Sequence, residues 1–513
     1  MKKNVLEYLE CTARKYPSKK AVADPDTGFT YQEYMETARK VGAFFTKYRV
    51  QGKPMAVVAD KSTFVLAAML GVVYAGGFYV YIDPSQPVVR FEKILHELQP
   101  VCVLIQEKYE NVLDATDYTG DRCRLKDLSE ACAEGITSKE EEILTKIREA
   151  AKSEDILYGV FTSGSSGTPK CVAVSHGAVV DFISHFTRTF QITEEDILAN
   201  QAPFDFDVSV KDIYSALMTG AELLLIPREY FSTPAILLDY ICDNRVTNLT
   251  WAVSALCLIS GMKGLEYRIP ETVKRIMFSG EVMPVLHLAK WQEALPEALF
   301  VNLYGPSEIT CNCLYHVIDR KYEKKDTAKI PVGIPFEGRE IFLIGEDAEI
   351  ITEKNRNGEL FVTGESLANG YYHNPEQTKE KFLEVLVDGK PRRAYRTGDL
   401  AYYGEDGLLY FAGRKDFQIK HMGHRIELEE IDRAIMETPG VTRCCTLFDT
   451  DKNRLAAFYT GEAGSADVRA FLKTRLPGYM VPSRILQMED LPLNKNGKLD
   501  RNQLMERLKA GRK

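Results

Sequence analysis

The sequence predicts an α/β protein in two parts. A large N-terminal part of mostly parallel sheets and helices covers 1–414. A small α+β part covers 415–513 and is joined to it by a short polar hinge. Three observations predict this. The chain has 513 residues, more than a single hydrophobic core organises. Apolar runs of strand length alternate with runs at helical spacing, the rhythm of βαβ units. That rhythm is interrupted at Gly413-Arg414-Lys415-Asp416, where a glycine and three charges follow an apolar strand.

The elements follow in order. Residues 61–74 read as a helix, 78–82 as a strand, 90–98 as a helix and 101–105 as a strand. The longest apolar stretch, 64–82, is broken by Gly71, Gly76 and Gly77, so it reads as a buried helix and strand rather than a membrane span. Residues 138–155 (SKEEEILTKIREAAKSED) form a charged, solvated helix or spacer. DGLLYFAG (406–413) reads as a turn and a strand, and 417–440 as a strand, a glycine turn and an amphipathic helix closed by Pro439-Gly440.

Composition narrows the function. Hydrophobic residues make up 45% and charged residues 27%, the balance of an ordinary globular chain, and a net charge of −8 argues against a nucleic-acid binder. The N-terminus MKKNVLEYLECTARKYP has no apolar signal segment. The eleven cysteines show no zinc spacing and read as reduced thiols of a cytoplasmic protein.

The strongest local signal is GVFTSGSSGTPK (159–170), in which an apolar strand runs into glycines and hydroxyls, then a lysine. Glycines let backbone N–H groups approach phosphate oxygens, and the hydroxyls add donors. The spacing is neither that of a Walker loop nor that of a dinucleotide fingerprint. Three weaker signals follow: NLYGPSE (302–308) sets an aromatic ring and a carboxylate on a tight turn, YRTGD (395–399) ends on a carboxylate, and LNKNGKLD (493–500) offers a lysine on a turn. Their joint occurrence in this order carries the weight.

With YAGGFYVYIDPSQP (74–87), FDVSVKDIY (206–214), FSGEVMP (278–284), VGIPFEG (332–338), GELFVTGESLANGYY (358–372) and GRKDFQIKHMGHRIELEEID (413–432), the chain resembles the adenylate-forming superfamily over nearly its whole length. Within it, the resemblance is to amino-acid adenylation domains of nonribosomal peptide synthetases and to D-alanine–D-alanyl carrier protein ligases. The resemblance implies ATP and Mg²⁺ as cofactors. It implies that Thr162, Ser163, Gly164, Ser165, Ser166, Gly167, Thr168 and Lys170 wrap the phosphates. Tyr304 would stack on adenine beside Asn302, Gly305, Ser307, Gly280 and Glu281, and Glu308 would hold Mg²⁺. Asp399 would bind ribose, with Arg414 near the ribose or phosphate. Phe411 stands where relatives often carry a tyrosine.

A carboxylate nucleophile is already ionised at neutral pH, so the first step needs charge stabilisation rather than a base. The resemblance gives that role to Lys498, with Thr162 and Glu308. It implies that the small part then rotates about Asp416 to present the Gly423 loop for thiolysis of the adenylate. No carrier motif follows Lys498, so the expected partner is a separate carrier protein with a phosphopantetheine arm. Lys420, His421 and Arg425 read as a solvated face, with docking of an acidic carrier as the other reading. His424 reads as packing or surface.

The family's specificity positions map to Asp207, Val208, Lys211, Thr250, Met277, Ser279, Leu303, Cys311 and Asn312. A carboxylate at Asp207 would pair with an α-ammonium, which favours amino acids over fatty or aryl acids. Lys211 is unusual: it either turns its ammonium out of the pocket or meets an acceptor on the substrate. The first is expected, with D-alanine or another small amino acid as substrate, ahead of serine, aspartate or glutamate. The alternative enzyme class is an acyl- or aryl-CoA ligase of the same fold.

Overall fold

The computed structural model describes residues 3–510 except 165–167, 324–328, 388 and 494–498. Two parallel-centred sheets and one antiparallel sheet build the large part. In the nine-stranded sheet, Lys20–Ala23, Glu222–Leu225, Ile197–Asn200, Asn248–Ala252, Arg275–Ser279 and Leu299–Tyr304 run parallel in that spatial order, with antiparallel strands at both edges. In the seven-stranded sheet, Ile156–Thr162, Phe78–Tyr81, Pro54–Val58, Cys102–Ile105 and Asp121–Arg124 run parallel, and Lys170–Ser175 returns antiparallel beside Ile156–Thr162. The α/β expectation thus holds, and so do the early elements, now Thr63–Tyr74, Phe78–Tyr81, Val88–Leu98 and Cys102–Ile105. Every residue of Thr63–Tyr74 but Phe64 is buried, which explains an apolar run with no polar face.

The alternating pattern does not anticipate the third sheet. Its strands Arg339–Ile344, Gly358–Gly364, Phe382–Val387, Lys390–Tyr403 and Leu409–Arg414 pair antiparallel. Beyond Arg414 the chain forms a hairpin, Gln418–His421 with His424–Glu427, and then a three-stranded sheet with its own apolar clusters on both faces. The second hairpin strand is an addition to the predicted strand, turn and helix.

Helix Val208–Thr219 lies between the two parallel-centred sheets. Its Tyr214 hydroxyl meets that of Tyr79 in the seven-stranded sheet at 2.9 Å, while its flank packs on the nine-stranded sheet. This fixes the helix start, Asp207, near the C-terminal ends of Arg275–Ser279 and Leu299–Tyr304, where α/β sheets place their ligands. Among the described residues, no helix is long and apolar enough to cross a membrane.

Candidate active site

One cleft collects twelve of the predicted residues. It is lined at strand ends by Thr162, Ser163, Ser279 and Gly280, at the helix start by Asp207 and Val208, and on the far wall by Asp399 and Arg414. Ser307, Gly305, Cys311 and Asn312 complete it from the turn after Tyr304. Thr310 and Cys311 both hold positive φ, 54° and 71°, a strained pair for residues with side chains. The bend carries Cys311 back to Asp207, whose carbonyl accepts its S–H at 3.0 Å.

The described residues expected to hold phosphate sit at the junction of two strands. Thr162 ends Ile156–Thr162, and its buried hydroxyl has no hydrogen-bond partner among the described residues. Ser163 donates to the Arg425 carbonyl at 2.8 Å, and Gly164 is buried beside it. Thr168 is half-buried; Ser165, Ser166 and Gly167 lie outside the described residues. Lys170 donates to the Tyr371 hydroxyl at 3.3 Å and lies over that ring. Burial, and then the charge of Arg425, lower the Lys170 pKa to about 8.

Glu308 is fully buried. Its Oε1 accepts from Tyr371 at 2.7 Å, and Arg425 donates to both oxygens at 3.0 and 3.1 Å. Burial alone would raise its pKa, but Arg425 and Lys170 draw it down to about 2. The Glu308 carboxylate and the Thr162 hydroxyl are both hard oxygen donors of the type Mg²⁺ takes, although Arg425 holds the carboxylate in the described arrangement.

Tyr304 is buried and donates to Asp399, which also accepts from Arg414. Asn302 donates to the Pro331 carbonyl at 2.8 Å. Glu281 accepts the Gly423 N–H at 2.7 Å, and Gly280 faces Gly423 across the cleft. Phe411 packs against the core of the large part rather than lining the cleft. Arg414 donates to Asp416 at 2.6 and 2.8 Å and also to Asp399, so it links the expected pivot to the carboxylate expected at the ribose.

Of the expected specificity positions, Asp207, Val208, Ser279, Cys311 and Asn312 line the cleft. Met277 and Leu303 are buried on neighbouring strands, Val208 lines the mouth, and Thr250 is buried beside Asp212. Burial raises the Asp207 pKa, and a hydrogen bond from Ser307 and the charge of Lys211 oppose it.

Two expectations are corrected. Lys211 does not turn outward: it is 0% exposed, and its Nζ donates to Asn312 Oδ1 at 2.9 Å and Ser279 Oγ at 3.3 Å. The fixed helix between two sheets offers its stem no route to solvent. Nor do Lys420 and Arg425 form a solvated face. Arg425 pairs with Glu308, and Lys420 lies 5.7 Å from the centre of the Tyr304 ring, because the hairpin inserts into the cleft. His424 does pack, stacked on Tyr479 and edge-on to Phe206.

Lys498 lies outside the described residues. Its neighbour Leu499 packs in the cluster containing Cys445, Phe458 and Leu504, whereas Cys444, Ala457 and the helices Leu428–Met436 and Ser465–Arg475 form the cluster on the opposite face. The latter face meets the large part, through Arg90 paired with Glu430. Sequence reasoning assigned no role to Tyr371, Arg90 or Glu430. Tyr371 stands within a segment quoted for the resemblance, but no local pattern marks its hydroxyl.

Comparison with known proteins adds to this geometry. Residues 9–372 match the AMP-binding enzyme family and residues 430–498 the AMP-binding enzyme C-terminal domain. The chain is 30% identical to tyrocidine synthase 3 of Brevibacillus parabrevis over 97% of its own length and 8% of that protein's. It spans under half the length of each of the other synthases set beside it. The fold is shared with the Vibrio cholerae adenylation domain AlmE, solved with glycyl-adenosine-5'-phosphate, at 21% identity, TM-score 0.85, and coverage of 99% of this chain and 98% of that one. It is also shared with holo-PA1221, a protein containing adenylation and PCP domains, at 24% identity, TM-score 0.83, and coverage of 98% and 84%.

Proposed function

Since the chain belongs to the AMP-binding enzyme family, we propose that it activates an amino acid with ATP and passes the aminoacyl group to the thiol of a phosphopantetheine carrier protein. The observation that carries this reading is Asp207. Its carboxylate lines the cleft, accepts from Ser307, and has no cation at ion-pair distance among the described residues. An α-ammonium supplies the missing charge; fatty and aryl acids cannot.

In the first step a substrate carboxylate oxygen attacks the α-phosphorus of ATP. The bond to the β-phosphate oxygen breaks, and pyrophosphate leaves. Thr162, Ser163, Gly164, Thr168 and Lys170, with Ser165, Ser166 and Gly167, would hold the phosphates; Tyr304 the adenine; Asp399 and Arg414 the ribose side. Glu308 and Thr162 would hold Mg²⁺, which supplies positive charge to the phosphate oxygens. Lys498 would bridge the substrate carboxylate and the α-phosphate. In the second step a thiol sulfur attacks the acyl carbon, the acyl–oxygen bond to AMP breaks, and the thiol proton leaves to solvent.

We place the division at 1–414 and 415–513, with Asp416 as pivot. Two arrangements are supported by the position of the hairpin Gln418–Glu427 inside the cleft, while Leu499, next to Lys498, packs on the far face of the small sheet. D-alanine, preferred from sequence, would leave the inward Lys211 ammonium with neutral partners only.

Amino-acid-dependent exchange of pyrophosphate into ATP, followed by thioester formation on a phosphopantetheine carrier, tests the reading. Exchange confined to fatty or aryl acids, with transfer to CoA, would reject it in favour of an acyl-CoA ligase.

A further inference from the structure

We infer that Lys211 binds a carboxylate on the substrate's side chain, so that the acid activated is a short dicarboxylic amino acid. The inference rests on the amino-acid reading above and narrows it to one substrate class.

The argument starts from helix geometry. Asp207 immediately precedes Val208–Thr219, and Lys211 is four residues on, which places both on one face about 6 Å apart along the axis. Asp207 lines the cleft; Lys211 lies one turn deeper, behind Ser279 and Asn312, which also line it. One wall therefore presents a negative group at the mouth and a positive group at the floor.

The ammonium's partners are incomplete. It has three donors. Two go to Asn312 Oδ1 and Ser279 Oγ, both neutral. No carboxylate among the described residues lies at ion-pair distance from it. Asp212, the next residue, accepts instead from Asn200 at 3.1 Å and from Thr250. A buried cation with neutral partners alone is costly, and burial lowers the Lys211 pKa accordingly. The charges of Asp207 and Asp212 only partly oppose that. A carboxylate arriving with the substrate completes the site.

Length follows from the same residues. Ser279 and Asn312 close the floor around Nζ, and Met277 and Leu303 are buried in the adjoining strands, so only a short side chain fits between the two charges. An amino acid whose ammonium meets Asp207 and whose side-chain carboxylate meets Lys211 leaves its α-carboxylate toward the Thr162 and Ser163 side of the cleft, where the nucleotide would react.

The test is pyrophosphate exchange by the full chain with aspartate, glutamate, asparagine, glutamine, alanine of both hands, leucine, and the amine-free acids succinate and glutarate. We expect kcat/KM for aspartate or glutamate to exceed that for its own amide roughly 100-fold or more, since the amide leaves the buried cation unpaired. Lys211→Met should remove that preference and raise exchange with leucine. A wild-type preference for alanine, or an acid-to-amide ratio unchanged in Lys211→Met, overturns the inference while leaving amino-acid activation standing. Exchange with succinate or glutarate equal to that with the amino acids overturns the role of Asp207 and the amino-acid reading with it, whereas exchange with none of the panel overturns the dicarboxylic inference alone. If Lys211→Met does not fold, the wild-type panel still decides.

Discussion

At the scale of single residues, Glu308 gives the most direct prediction. Its folded-state pKa of about 2 lies below the ordinary carboxylate value of about 4.3. A depressed carboxylate adds stability that is fully present above the ordinary value and is lost as pH falls through the folded one. Glu308→Gln leaves Arg425 buried without its counter-ion, at roughly 3–5 kcal/mol. The difference in melting temperature between the two proteins should therefore be largest near neutrality and shrink from about pH 4.5 toward pH 2. A constant difference across that range would show that the ion pair is not what stabilises. Asp207→Asn keeps shape and removes charge, so it should raise the amino-acid KM or abolish exchange while ATP affinity stays; an unchanged KM rejects the ammonium role. Lys498→Ala should cost about 10²–10³ in adenylation rate with nucleotide binding nearly intact, by analogy with other preorganised charge donors. Near-normal exchange would remove Lys498 from the mechanism. Asp207, Ser279 and Asn312 were legible because the resemblance maps the family's specificity positions onto them. The inward course of Lys211 was not, because it depends on a helix held between two sheets, which no window of sequence contains. The Arg425–Glu308 pair spans 117 residues and has no local signature either.

At the scale of elements, the hairpin Gln418–His421 with His424–Glu427 matters most. Gly423 turns it at φ +81°, a conformation that costs other residues energy, and its N–H is held by Glu281. The sequence announced a strand and a glycine turn here, and the turn is where it was expected. The chain's charge pattern misled about its surroundings, since Arg425 looks solvated until Glu308 is brought in from a turn far away in sequence, and Lys420 until Tyr304 is. Upstream, Asp416 connects the hairpin to Leu409–Arg414. Asp416→Pro fixes φ near −65° and also removes the carboxylate that holds Arg414. Asp416→Ala removes the carboxylate alone. If rotation at this link separates the two half-reactions, the proline variant should keep adenylation and lose carrier loading, while the alanine variant keeps most of both. Equal losses in the two variants would assign the effect to the Arg414 fork instead.

At the scale of the whole molecule, the two parts meet through Arg90 and Glu430, whose side chains are only 8% and 6% exposed. The pair is separated by 340 residues and bridges the two parts. Glu430→Gln should weaken the arrangement with the hairpin in the cleft. We expect aminoacyl transfer to fall several-fold with pyrophosphate exchange unchanged; a fall in exchange of equal size would mean the contact serves the fold rather than one working state. Glu308 carries a related consequence. If Glu308 holds Mg²⁺ as proposed, the ion and the tethered Arg425 guanidinium compete for one carboxylate, and its occupancy would couple the salt around the protein to the position of the hairpin. Mass action would then make free magnesium a competitor of the hairpin. Raising it at constant ionic strength should increase cleavage by protease at the 414–417 link, and calcium at the same concentration should do so less if the position demands compact octahedral coordination.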